Sequence, residues 1–274
     1  MRLNNNKNIH NWDYVEDKKM EFSQKSFEDN QSGQDDVGTG GLKYLSERHV
    51  ACVFLLDTSR SMSGDAVDNL NKGLQEFKNQ TMSNTTLDEH TKSCIDVALI
   101  SFGSKVLLHT NLGTTVRRDQ EFDMASVFVP VSLMNPPVLR ASGGTPMGEA
   151  INWALDIIEQ QKKRYNDFGT PYYRPWVFCI TDGEPTDDYK AAAQRLKEME
   201  DDNKVLGYCV GVENFNKGAM ANIFDTARVF ELANLDFPGL FKFVSNSLDT
   251  VRNSDPVAGN QVDVAAPSTL KMAF

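Results

Sequence analysis

Five oxygen-bearing residues in three segments of the sequence are of the types that hold a hard metal ion. Asp57, Ser59 and Ser61 alternate directly after an apolar run, so their side chains point the same way as the chain leaves an extended strand. Thr145 follows a pair of glycines, and Asp182 comes shortly after a second apolar run. Three hydroxyls and two carboxylates suit Mg²⁺, Mn²⁺ or Ca²⁺ better than zinc. One coordination position would stay open for water or for an acid from a partner.

Short apolar runs alternate with helical patterns around these residues. Val50–Leu56 and Trp176–Ile180 are continuous apolar runs, which are typical of buried parallel strands. Cys94–Phe102 and Lys105–His109 are further strand candidates, and the Gly103-Ser104 pair between them predicts a hairpin. Apolar residues at helical spacing lie between the strands. The alternation predicts an α/β fold with a mostly parallel sheet and helices on both faces, in which ligands bind at the carboxyl ends of the strands.

The later part of the chain continues the same alternation. Thr145 and Pro146 have the types favoured at the N-cap and first position of a helix. Val205–Val212 and Val229–Leu232 are predicted strands. A last helix is predicted along the apolar positions Phe241, Val244, Leu248 and Val251.

Composition divides the chain into three regions. Residues 1–47 are polar and end in a linker-like Gly-rich stretch, which predicts a flexible or loosely docked arm. Residues 48–252 hold the α/β pattern and form the predicted domain. Residues 253–274 are weakly patterned and contain two prolines, which predicts a C-terminal tail.

Charge and cysteine usage exclude several classes of function. The net charge of -10 argues against binding to nucleic acid or to an anionic membrane surface. The N-terminal segment lacks the apolar core of a signal peptide, and no apolar run approaches the roughly 20 residues of a membrane span. The four cysteines are widely spaced and form no CxxC pair. We therefore predict a cytoplasmic protein with reduced, buried cysteines.

Each candidate metal loop also has a plain structural interpretation. Ser, Thr and Asp commonly cap helices, and an Asp-Gly pair such as Asp182-Gly183 is common in turns. Gly143-Gly144 suits either a close approach of backbone to an ion or a simple hinge. Because the three loops occur in order and each lies at the end of a predicted element, the metal site is the favoured interpretation.

The pattern D-x-S-x-S, a distant Thr and a distant Asp resembles the metal-ion-dependent adhesion site of the von Willebrand factor A family. The strings SGGTPMGEA, YYRPWVFCITDGEPTD and LDFPGLFKFVSNSL are similar to a bacterial intracellular branch related to tellurium-resistance proteins. The resemblance covers about residues 48–252. It implies a doubly wound six-stranded sheet with one antiparallel edge strand, and a role in bacterial stress response or conflict.

The resemblance also implies how the site works. Ser59, Ser61 and Thr145 would contact the ion, and Asp57 and Asp182 would act directly or through water. The domain would be a non-catalytic module that binds an Asp or Glu of a partner protein through the ion. We expect Mg²⁺, because a reducing cytoplasm supplies it and the ligand count is low.

One position departs from the family pattern. Arg60 stands where many relatives have glycine. Its side chain either favours an acidic partner or turns to solvent.

Two other functions fit parts of the sequence. A metal-dependent phosphohydrolase also places an Asp after each of two strands, but the aspartyl-nucleophile type needs a second acid where Ser59 stands. No phosphate-binding GxxxxGK[ST] loop is present. A scaffold subunit that acts through its two terminal regions is the other alternative.

Overall fold

Strands and helices alternate along the chain as the apolar runs predict. The computed structural model describes residues 41–83, 89–212, 215–237, 239–240 and 270–273. The strands are β1 Val50–Asp57, β2 Ile95–Phe102, β3 Val106–His109, β4 Thr115–Val116, β5 Val129–Pro130, β6 Trp176–Thr181, β7 Leu206–Val212, β8 Val229–Leu232 and β9 Leu270–Met272. The helices are α1 Asp65–Ser83, α2 Glu89–Ser93, α3 Met124–Val127, α4 Met147–Asp167, α5 Lys190–Asp201 and α6 Lys217–Ala221. Short 3-10 turns cover Arg60–Met62, Val131–Leu133, Thr226–Arg228 and Ala233–Leu235.

The strands form one mixed sheet in the order β4-β3-β2-β1-β6-β7-β8-β9, with β5 pairing β2 from outside this path. The neighbours from β2 through β1, β6 and β7 to β8 are parallel. From β1 the chain continues to β2 on one side and later returns to β6 on the other, so the strand order reverses at β1 and β6. Ligands of doubly wound sheets bind at this point, beyond the carboxyl ends of the strands.

The predicted fold class is confirmed, but the sheet is larger than the six strands expected. Nine strands are described, and antiparallel strands flank the parallel part on both sides rather than at one edge. β4 and β5 have two residues each, too few to produce a recognisable pattern. β9 lies within the predicted C-terminal tail, so part of that tail pairs with the sheet.

Two of the predicted regions lie partly or wholly outside the described residues. Leu42 belongs to the predicted N-terminal arm and is nevertheless buried in the core. The rest of the arm before residue 41, and the helix predicted from Phe241 to Val251, lie outside the described residues.

The core lies on both faces of the sheet, as the complete burial of β1 requires. Ala51, Val53 and Leu55 pack into the cluster that contains the apolar side chains of α4 and α5. Cys52 and Phe54 point to the other face, into the cluster that contains those of α1. Side chains alternate between the faces of a strand, so a strand covered on both faces is apolar throughout.

The structure also describes the cysteines and the helices to which the predictions refer. All four cysteines are buried and free. Within the described residues, no helix has both the length and the apolar character needed to cross a membrane.

Candidate metal site

Two of the predicted ligands come from the turn that follows β1. Asp57 is the last residue of the strand and is fully buried. Its Oδ1 atom accepts a 2.7 Å hydrogen bond from the Ser59 N–H, which turns the chain sharply out of the sheet. The 3-10 turn at Arg60–Met62 then brings the Oγ atoms of Ser59 and Ser61 to 2.9 Å from each other. The alternating pattern therefore gathers its three oxygen-bearing side chains as predicted.

The loop after β6 adds the second carboxylate. Ser61 Oγ donates a 2.8 Å hydrogen bond to Asp182 Oδ1. Thr181, the last residue of β6, donates a 2.5 Å hydrogen bond to Asp57 Oδ2. Because β1 and β6 are parallel neighbours, their carboxyl ends deliver these groups to the same edge of the sheet.

Gly183 shows that the loops converge around one point. A Cβ atom built at this glycine would lie 3.3 Å from Thr145 Oγ1, 3.7 Å from Ser61 Oγ and 3.9 Å from Asp57 Oδ2. With the Ser59–Ser61 and Ser61–Asp182 contacts, all five predicted residues belong to one cluster. The structure thus brings together every residue that the sequence nominated.

The prediction that Thr145 is the N-cap of a helix is wrong. Helix α4 begins at Met147 after Pro146 and has no side-chain cap of its own. The carboxylate of Asp187 instead accepts hydrogen bonds from the N–H groups of Gly148 and Glu149, at 3.1 and 2.9 Å. An acid from another loop thus caps the helix, and the Thr145 hydroxyl faces the cluster.

Backbone contacts lock the Thr145 loop against its neighbours. The Thr145 N–H donates to Thr186 Oγ1 at 2.8 Å, and the Thr186 N–H donates to the Thr145 carbonyl at 2.9 Å. Gly143 has a φ of +80°, and a Cβ atom there would lie 2.4 Å from the Cα of Ser104. A Cβ atom at Gly144 would meet Thr186 Oγ1 at 2.8 Å. The two glycines are therefore needed for close packing between loops.

The electrostatics of the cluster favour a cation. Burial raises the pKa of Asp57 to about 6, against the opposing hydrogen bonds from Thr181 and Ser59, and repulsion from Asp182 raises it further. A positive charge beside a buried carboxylate lowers its pKa and offsets this desolvation cost. The donor set is carboxylate and hydroxyl oxygen only, which matches the preference of hard divalent ions. The residues present therefore fit such an ion.

Among the described residues, no three His, Cys, Asp or Glu side chains gather at a metal-binding geometry. The cluster at β1 and β6 has two carboxylates, so an ion held there would need the hydroxyls as further ligands.

Three residues that support the cluster were not predicted from the sequence: Thr181, Thr186 and Asp187. The signal for Thr181 is its position, a polar residue that ends an otherwise apolar buried strand. Thr186 and Asp187 accept hydrogen bonds from residues about 40 positions earlier in the chain, and no local sequence pattern indicates such a contact.

A serine–histidine contact lies elsewhere in the sheet. His109 Nε2 and Ser101 Oγ are 2.8 Å apart, between the antiparallel strands β2 and β3. Ser101 is buried, and burial lowers the pKa of His109 to about 4. The imidazole is therefore neutral and weakly basic, and the hydroxyl is not open to a substrate.

Comparison with known proteins identifies the family. The model of the von Willebrand factor type A domain matches residues 52–243. No curated protein matches the sequence.

Solved structures with a similar fold come from diverse sources. The vWF domain of the pilus tip protein Mfa5 from Porphyromonas gingivalis has a TM-score of 0.50 at 9% identity, covering 78% of this chain and 99% of that one. The human COPII-coat protein Sec24c has a TM-score of 0.50 at 12% identity, covering 74% and 32%. Proximal thread matrix protein 1 from the mussel byssus, with a zinc-occupied MIDAS motif, has a TM-score of 0.46 at 18% identity, covering 74% and 48%. The chain thus spans about half the length of the byssus protein.

Proposed function

This chain belongs to the von Willebrand factor type A domain family, and from that premise we propose that it is a divalent-metal-dependent protein interaction module. Domains of this family mediate contacts between proteins. The observation that carries the proposal is the convergence of five oxygen-bearing side chains at the carboxyl ends of β1 and β6. Such an arrangement can hold an ion in front of the sheet and present it to a partner.

The five residues of the cluster would hold the ion: Asp57, Ser59, Ser61, Thr145 and Asp182. We propose Mg²⁺ as the resident ion, with Mn²⁺ or Ca²⁺ as substitutes, because all the donors are oxygen atoms. When bound, the ion supplies an electrophilic position that takes a carboxylate of the partner. The hydroxyls carry no charge, so they leave the ion its affinity for that further acid.

We propose that this domain is not itself catalytic. Ser59 stands where a phosphohydrolase of the aspartyl-nucleophile type needs its second acid. The serine–histidine contact at Ser101 and His109 is buried and lacks a base of useful strength. We further propose a cytoplasmic location, which suits four buried free thiols, and a role in bacterial stress response or conflict, which rests on the sequence strings alone.

Metal binding and partner capture test the proposal together. Isothermal titration with Mg²⁺ should give binding to the wild-type chain that Asp182→Ala abolishes. Asp188→Ala is the matched control, because this acid is exposed on the same loop and, in the described part of the chain, its carboxylate accepts a hydrogen bond only from the Lys190 N–H. Affinity capture should then yield proteins in Mg²⁺ that are lost both in EDTA and with Asp182→Ala. Identical capture under all conditions would refute the metal-bridged function.

A further inference from the structure

Two arginines beside the candidate metal site differ from every other arginine that the structure describes. Arg60 and Arg140 are exposed, and neither side chain has a hydrogen bond, ion pair or ring contact with a described residue. The other described arginines are engaged with acids, carbonyls, amides or an aromatic ring: Arg48, Arg117, Arg118, Arg164, Arg174, Arg195 and Arg228. Among the described residues, unpaired guanidinium groups are therefore confined to the loops that surround one site.

Lys105 joins these arginines on the same side of the site. It is exposed and also lacks a side-chain partner within the described chain. It follows Gly103-Ser104, the turn between β2 and β3, where Ser104 lies against the backbone of Gly143. We name Arg60, Lys105 and Arg140 the basic rim.

Direct contacts hold the three loops of the basic rim together. The Arg60 N–H donates a 3.1 Å hydrogen bond to the Gly143 carbonyl, and the Ser142 N–H donates one of 2.7 Å to the Thr58 carbonyl. Ser142 Oγ donates to Ser104 Oγ at 3.3 Å. Each rim residue is thus within two positions of a contact that fixes its loop, and these contacts hold the three loops next to the turn that carries Asp57 and Ser59.

The opposite side of the site carries the other charge. The loop after β6 contributes the exposed acids Glu184 and Asp188, and Glu184 accepts a hydrogen bond from Asn216 Nδ2. The basic rim lies on the loops of β1, β2 and α4, and exposed acids follow where the helices begin, at Asp65 and Asp68 in α1 and at Glu149 in α4. The cations of the rim are therefore a local feature of a chain whose net charge is -10.

We propose that the basic rim selects partners that present a run of acidic residues, with one carboxylate on the ion and its neighbours on Arg60, Lys105 and Arg140. This inference rests on the proposed function. A lone carboxylate needs only the ion, whereas a run of acids would be repelled by a chain of net charge -10 unless local cations face it. The planar guanidinium group of an arginine such as Arg60 or Arg140 can donate two parallel hydrogen bonds to one carboxylate.

Two labelled peptides measure the contribution of the rim by fluorescence anisotropy. One is an oligoglutamate, and the other has a single glutamate between glycines. The rim variant is Arg60→Ala/Lys105→Ala/Arg140→Ala. The charge-matched control is Lys163→Ala/Lys197→Ala/Lys204→Ala, which changes exposed residues paired with local acids elsewhere. Titration with Mn²⁺ reports whether each variant retains the metal site.

In Mg²⁺, the wild-type chain should bind oligoglutamate more tightly than the single-glutamate peptide. The rim variant should lose about tenfold in affinity for oligoglutamate and keep its affinity for the single-glutamate peptide and for Mn²⁺. The control should bind all three as the wild type does. Added salt should weaken oligoglutamate binding to the wild type more than to the rim variant.

Three results would overturn the inference while leaving the metal site in place: no preference for oligoglutamate, an unaffected rim variant, or equal loss in the control. Equally tight binding of a single-stranded DNA of the same charge would also overturn the inference. The rim would then recognise negative charge in general rather than acidic side chains. A preference for oligoglutamate that survives EDTA and disappears in the rim variant would support the rim and count against the metal-bridged function.

Discussion

The hydroxyl of Ser61 donates a 2.8 Å hydrogen bond to the carboxylate of Asp182, which lies 121 positions further along the chain. The contact joins the loop of β1 to the loop of β6. Strand pairing and loop contacts of this kind bring the candidate metal ligands together. Binding an ion to such a preformed site requires little reordering of the chain, which favours affinity.

The space in front of Gly183 provides a direct test of that arrangement. Gly183→Ala places a methyl group against Thr145 Oγ1, Ser61 Oγ and Asp57 Oδ2, at 3.3 to 3.9 Å. We expect the affinity for Mg²⁺ to fall by about tenfold or more, an effect as large as that of losing a residue that orients a metal ligand. Isothermal titration measures the affinity. The melting temperature in EDTA should change little, because the residue lies at a partly exposed loop.

Gly218→Ala is the matched control for this substitution, since Gly218 lies in the short helix α6 and a Cβ atom there would meet Asn216 Oδ1 at 3.4 Å rather than the oxygens of the cluster. Unaltered metal binding by Gly183→Ala would show that an ion does not occupy the space between these three oxygens.

The strands of the sheet were predictable where their burial requires a run of apolar residues. β1 is buried along its whole length on both faces, so each of its residues except the terminal Asp57 is apolar. The stripe Val67, Leu70 and Leu74 marks α1 because those side chains face the core at helical spacing. β4 and β9 have two and three residues and pair at the edges, and neither length suffices to establish a period.

The candidate site was predictable where its residues lie at the ends of such strands. Asp57 and Asp182 follow buried apolar runs, so the order of elements alone places them at one edge of the sheet. The capping of α4 by Asp187 was not predictable, because Pro146 and Thr145 already form a plausible local helix start. Only the folded contact between two distant loops shows which residue satisfies the helix N–H groups.

The buried Asp57 should make metal binding depend on pH. Its pKa of about 6 in the ion-free chain arises mainly from burial, so protons compete with the ion below that value. Affinity for Mn²⁺ should rise about tenfold per pH unit below pH 6 and level off near pH 7. Titrations in a pH series measure this. A flat profile between pH 5 and 7 would contradict the assignment of Asp57 to the site.

The same shift affects the stability of the ion-free chain. A carboxyl group with a raised pKa favours the folded state below its unfolded value of 3.8, and this contribution disappears as the pH rises through 6. Mg²⁺ should therefore raise the melting temperature more at pH 7 than at pH 5. An equal increase at both values would mean that Asp57 does not titrate with the ion.

Thr181 should lower the pKa of Asp57 without itself contacting the ion. Thr181→Val keeps the shape of the side chain but removes the hydroxyl that donates to Asp57 Oδ2 at 2.5 Å. A hydrogen bond to a charged group contributes about 1.5–3 kcal/mol, so the pKa of Asp57 should rise and the pH profile of Mn²⁺ binding should move upward by about one unit or more. Thr186→Val, which alters the Thr145 loop instead, should weaken binding without moving the profile.

Asp187 should matter for α4 rather than for the ion. Asp187→Ala removes the acceptor of two helix N–H groups and should lower the free energy of unfolding by about 1 kcal/mol, the usual cost of a lost N-cap. Urea unfolding in EDTA measures this cost. Asp201→Ala is the control at an exposed helix end, and a cost no larger than that of the control would show that the cap contributes nothing.

A second buried polar cluster lies at the other ends of β1 and β2. His49 Nδ1 and Asp96 Oδ2 are 2.7 Å apart, and the Tyr165 hydroxyl donates to the same Oδ2 atom at 2.6 Å. Burial opposes a charge on His49, but the hydrogen bond and charge of Asp96, with a further contribution from the hydrogen bond of Cys94, outweigh it and raise its pKa to about 10. His49 is thus protonated at neutral pH and paired inside the core.

Removing the charge of Asp96 should lower stability and alter its pH dependence. Because the folded pKa of His49 exceeds the unfolded value of 6.5, its contribution is complete below pH 6.5 and disappears as the pH rises through 10. Asp96→Asn should cost about 3–5 kcal/mol at pH 7, and the difference from wild type should shrink by pH 10. Urea unfolding at both pH values measures this. His109→Gln is the control, and a cost for Asp96→Asn that does not vary with pH would show that His49 is not charged.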